Sequence, residues 1–72
     1  MRYREVDKRL RSLGCVELRR KGGGSHRKWI NPASSSKLVV IVPDWGTKDL
    51  KNGTLRAIVK DLGLEWDDFL AT

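Results

Sequence analysis

His26 is the only histidine in a chain of 72 residues, and its setting points to one kind of chemistry. It stands in the run Arg19-Arg20-Lys21-Gly22-Gly23-Gly24-Ser25-His26-Arg27-Lys28, where five cations bracket a glycine turn. Imidazole is the only side chain that titrates near neutrality without special help, so His26 is the candidate general base. A base among cations suits a phosphodiester: it can take the proton of a ribose 2′-hydroxyl while Lys21, Arg27 or Lys28 stabilises charge growing on the phosphate. Arg20 extends the same cationic cluster. Gly24 and Ser25 bring backbone N–H groups close enough to cradle a phosphate, although the run lacks the spacing of either glycine-rich phosphate-loop motif. On residue types alone, a histidine at a strand end is more at home as an ordinary surface residue, and the cations are equally at home as a solvated face.

The charge distribution bears on the choice. The formal net charge is +6, a balance that favours polyanionic partners such as nucleic acid. It is uneven: residues 1–37 carry a net +8 and residues 38–72 a net −2. Asp44, Asp49, Asp67 and Asp68 lack the spacing of a calcium loop or a paired-carboxylate nuclease, so no metal and no cofactor are expected. The single Cys15 allows no internal disulfide and fits a reducing cytoplasm. Arg2 and Arg4 have no apolar run behind them, so no secretory signal is expected, and Leu38 to Val42 is far too short to cross a bilayer. Of the three tryptophans, Trp66 and Trp29 read as core, and Trp45 as either packing or base stacking.

The elements that must position these groups follow from periodicity. Tyr3, Val6, Leu10 and Leu13 mark an amphipathic helix closed by Gly14, with Arg4, Lys8 and Arg11 as a basic face. Asp7–Arg11 and Glu5–Arg9 are the i,i+4 ion pairs expected on it. Cys15 to Lys21 alternates, predicting a strand with Val16 and Leu18 inward. His26 to Asn31 predicts a second strand; with Trp29 in the core, the reading favoured here, His26 and Lys28 face the opposite side, whereas with Ile30 in the core His26 points the other way unless the strand begins irregularly. Leu38 to Val42 predicts a central strand or one buried on both faces, stopped by Pro43. Leu55, Ile58, Val59 and Leu62 predict a second helix ended by Gly63-Leu64, and Trp66, Phe69 and Leu70 a short final helical turn. The expected architecture is α+β: one domain over residues 1–72, ordered α-β-β-β-α, with a three-stranded antiparallel sheet and two helices on one face.

Taken together these segments resemble the HicA (YcfA-like) toxin family of type II toxin–antitoxin systems, over nearly the whole chain. The resemblance is carried by Gly24-Ser25-His26-Arg27-Lys28, Pro32, Val42-Pro43, Lys48-Asp49-Leu50, Gly53-Thr54-Leu55-Arg56, Ile58 and Gly63-Leu64. This chain departs from the usual pattern in two places: Gly22 and Gly23 lengthen the turn before Ser-His, and Trp45 stands where many relatives carry a second histidine. The resemblance implies a double-stranded-RNA-binding-like fold, endoribonuclease activity on mRNA with His26 catalytic, and neutralisation by a HicB-type antitoxin. The expected activity is metal-independent cleavage with His26 as base and a lysine or water as acid. The alternatives are a non-catalytic RNA-binding module that reads RNA by shape, and a purely protein-binding subunit.

Overall fold

The computed structural model describes residues 1–19 and 24–72. Among these residues six elements follow in chain order: α1 (Tyr3–Ser12), β1 (Val16–Glu17), β2 (His26–Ile30), β3 (Val40–Pro43), α2 (Asn52–Asp61) and α3 (Trp66–Ala71). The strands form one antiparallel meander in the order β1-β2-β3. Tyr3, Val6 and Leu10 of α1, Leu55, Ile58 and Val59 of α2, and Phe69 of α3 join Trp29, Val40 and Val42 in a single buried cluster. The helices therefore cover one sheet face and leave the other to solvent, and the expected α-β-β-β-α order holds.

The two long helices end as their sequences predict. Gly14 and Gly63 take φ of 89° and 71°, a region that costs a residue with a Cβ strain. The N–H of Cys15 then donates to the Leu10 carbonyl at 2.9 Å, and that of Leu64 to the Val59 carbonyl at 3.0 Å. Asn31, buried after β2, donates from Nδ2 to the Leu62 carbonyl at 2.8 Å and so ties the sheet to the end of α2. The chain start is tied down as well: the backbones of Arg2 and Asp49 form an isolated antiparallel β-bridge, and the Leu50 N–H donates to the Met1 carbonyl at 2.8 Å.

Three expectations are corrected. Val16 is 45% exposed on the open face, not in the core, and Leu18 is half-buried. The reason is register: Val16 lies opposite Ile30 and Glu17 opposite Trp29, so the core side of β1 belongs to Glu17. β3 is an edge strand with one covered face: Val40 and Val42 are buried, whereas Leu38, Val39 and Ile41 are about half exposed, because no helix covers the second side. Arg9 does not pair with Glu5; its Nη1 donates to the Phe69, Leu70 and Thr72 carbonyls at 2.8–3.1 Å, closing the open end of α3. Asp7–Arg11 forms as expected. Leu13 is partly buried against the core.

Because Trp29 has no exposed surface, Trp29→Ala should lower unfolding free energy by about 3–5 kcal/mol. Ile41→Ser, on the open face, should change it by no more than about 0.5 kcal/mol. Urea denaturation of the two variants checks the contrast; equal losses would mean that both sheet faces are covered.

Candidate active site

Strand alternation does the first work of positioning. Trp29 is held inward by packing and by its indole N–H, which donates to the Tyr3 hydroxyl at 3.1 Å. Two residues earlier, Arg27 points to the same helix-covered side; His26 and Lys28, on the other parity, are exposed. His26 opens β2 opposite Pro43, and Lys28 lies opposite Ile41, so imidazole and ammonium share the open face about 7 Å apart along the strand. Gly24 and Ser25, just before His26, are exposed too.

Arg27 has another occupation. Its side chain is 23% exposed, with Nη1 3.3 Å from Glu17 Oε1 and Nη2 3.1 Å from Asp44 Oδ2. Its guanidinium also lies 4.8 Å from the centre of the Tyr3 ring. Glu17 accepts in addition from Arg11, whose guanidinium stands 5.0 Å from the Trp29 ring centre and whose Nε meets Asp7. A chain of alternating charge thus runs Asp7–Arg11–Glu17–Arg27–Asp44 along the edge of the core. Of the expected phosphate ligands, Lys28 presents its charge on the open side while Arg27 directs its own into this network. Arg20, Lys21 and the first two glycines of the turn, Gly22 and Gly23, lie outside the described residues.

The network also shapes what stands beside His26. The Asp44 N–H donates to the Ser25 carbonyl, and Asp44 Oδ1 accepts from the Gly46 N–H at 3.0 Å. The loop after β3 is thereby clamped to the start of β2. Ser25, Asp44, Trp45 and Lys48 line an open groove there, next to His26 in the chain and in the sheet. Sequence reasoning met Lys48 only as part of the family resemblance, with no role at the site, and did not foresee the Glu17–Arg27–Asp44 link. Separations of 10 and 17 residues carry no periodic signal, since only strand register brings such groups together.

Two buried groups are shifted by their surroundings. Burial pushes the Tyr3 phenol above its ordinary 10.0, against the lowering effect of the hydrogen bond from Trp29. Burial in the core likewise raises the Cys15 thiol. Among the described residues, no group of three or more His, Cys, Asp or Glu side chains is placed to hold a metal ion. No helix among them is long and apolar enough to cross a membrane.

A family model described as the HicA toxin of bacterial toxin–antitoxin matches residues 3–64 of the 72. No curated protein matches the chain.

The geometry generates two expectations. Arg27→Met keeps the aliphatic stem but leaves Glu17 with Arg11 alone and Asp44 with the Gly46 N–H in place of a cation, and should lower unfolding free energy by about 1.5–3 kcal/mol. Combining it with Glu17→Gln should cost less than the sum of the two single changes, as read from urea midpoints; simple additivity would mean that the pair is not coupled. For Tyr3, a folded value raised above the unfolded one contributes stability below the ordinary phenol value that is lost as pH rises through the folded one. As Tyr3 is the only tyrosine, the phenolate absorbance of the native protein should titrate with a midpoint above 10.0, and the urea midpoint should fall over that range.

Proposed function

The chain belongs to the HicA toxin family, and from that premise we propose that it is an endoribonuclease that cleaves mRNA without a metal, with His26 as general base. The observation that carries this reading is the placement of His26: exposed at the head of β2, on the face of Lys28, beside a groove. In the reaction His26 accepts the proton of a ribose 2′-hydroxyl as that oxygen attacks the adjacent phosphorus. The bond from phosphorus to the 5′-oxygen of the next nucleotide breaks, and this oxygen takes a proton from a lysine or from water. The products are a 2′,3′-cyclic phosphate and a 5′-hydroxyl. Lys28 stabilises the added negative charge on the phosphate as it develops, where a fixed cation is worth most.

The roles of Gly24 and Ser25 in this scheme are to carry the backbone past the phosphate, with Arg20 and Lys21 supplying further positive charge. Arg27, committed to Glu17 and Asp44, supports the site by holding its walls together. The partners proposed are mRNA and a HicB-type antitoxin that silences the toxin, acting in the cytoplasm. The net +8 of residues 1–37 favours an RNA substrate over an acidic small molecule.

Replacing His26 tests the reading. His26→Ala should reduce RNA cleavage by about 100- to 10,000-fold and abolish growth arrest, with the urea midpoint unchanged because the side chain is exposed. Wild-type cleavage should persist in EDTA. A His26→Ala protein that cuts RNA at the original rate would defeat the mechanism. A wild-type protein that binds RNA but leaves it intact would instead be the non-catalytic RNA-binding module.

A further inference from the structure

Two of the three tryptophans have settled partners. Trp29 is buried and bonded to Tyr3, and Trp66 stacks on Phe69 at 5.6 Å beneath the guanidinium of Arg56. Trp45 differs from both. It is 44% exposed, and no ring contact or side-chain hydrogen bond engages it among the described residues. An indole left in water forfeits the burial that ordinarily justifies its size. Its loop, however, is firmly held. Asp44 bonds to Ser25, Gly46 and Arg27, and the Lys48 N–H donates to the Trp45 carbonyl at 3.2 Å.

We propose that Trp45 and Lys48 form a nucleotide subsite beside His26, in which the indole stacks on an unpaired RNA base and the Lys48 ammonium pairs with a neighbouring phosphate. The proposal rests on the reading of the chain as an RNA-directed toxin. Four observations carry it. Trp45 and Lys48 line one groove with Ser25, the residue that precedes His26. Pro43, two residues before Trp45, is the strand partner of His26, so a base on the indole belongs to a nucleotide next to the reacting phosphate. The Lys48 side chain is exposed and makes no ion pair among the described residues. The one acid in the groove, Asp44, has both carboxylate oxygens engaged, one by Gly46 and one by Arg27, so its charge is drawn away from an incoming phosphate.

The chemistry selects the form of the substrate. Bases inside an A-form duplex are stacked on one another and offer no free face, whereas an unpaired base can lie on an aromatic ring. Because every base has such a face, the subsite gives a preference for single strands without strong sequence choice. A loop already fixed in place loses little freedom on binding, which favours affinity.

The test uses the His26→Ala chain, so that RNA survives the measurement, and two probes: a single-stranded RNA hexamer and the same hexamer with abasic riboses. The expected results are that the hexamer quenches tryptophan emission to saturation and that Trp45→Ala weakens its binding by about 5- to 150-fold. Trp45→Phe should keep most of the affinity. The abasic hexamer should bind weakly and be indifferent to Trp45→Ala, and Lys48→Ala should flatten the dependence of affinity on salt. Unchanged affinity in Trp45→Ala, equal binding of the two hexamers, or no binding of either overturns the subsite. The same holds if Trp45 responds only to a protein partner. Failure of the catalytic reading looks different: the His26→Ala chain would then still cut the hexamer, and the same series run with a 2′-O-methyl hexamer, which has no attacking hydroxyl, decides the subsite by whether Trp45→Ala loses affinity.

Discussion

The parity of β2 is the constraint from which the rest of the molecule follows. A strand sends successive side chains to opposite faces, so burying Trp29 commits Arg27 to the helix side and His26 and Lys28 to the open side. A slip of one residue would bring imidazole into the core and turn the indole out to water. The cost of such a slip is severe, because Trp29 contacts the core and its N–H is satisfied by Tyr3 at the start of α1. The core thus decides which face can carry chemistry.

Placing an arginine on the buried side creates a second requirement. A guanidinium at the margin of an apolar core needs acceptors, and here Glu17 from β1 and Asp44 from the loop after β3 supply them. Through these two contacts Arg27 joins the central strand to the segments on either side of it. The contact to Asp44 has consequences for the site, since the same aspartate is bonded to Ser25 and Gly46. The wall of the groove next to His26 is held by an ion pair whose other end reaches the core. A small domain with little interior to spare can in this way keep a surface site rigid.

Much of this was legible in the sequence, and the parts that were not share a cause. The helices, their glycine endings and the outward placement of His26 and Lys28 follow from local rules: a period of 3.6 in Tyr3, Val6 and Leu10, and a period of 2 through Trp29. Val16 was misleading because its alternation with Glu17 suggests that the apolar residue is the inward one. In the fold the inward place goes to Glu17, where Arg11 and Arg27 meet it, and that is a matter of partners ten residues or fewer away in the chain but set by register. Leu38, Val39 and Ile41 misled likewise, since a β-branched run reads as a fully covered strand whether or not a second layer exists. The same period separates Arg27 from Lys28, but nothing local shows that the inward arginine meets Glu17 and Asp44.

These features bear on the chemistry through a single claim, that an exposed imidazole on the open face activates a 2′-hydroxyl. The most direct measurement is the chemistry of the ends left on RNA by the purified wild-type protein in EDTA. Attack by the 2′-oxygen requires a 2′,3′-cyclic phosphate, or the monophosphate formed when it opens, on one fragment and a 5′-hydroxyl on the other. Fragments bearing 5′-phosphates and 3′-hydroxyls, formed only when a divalent metal is restored, would contradict the account.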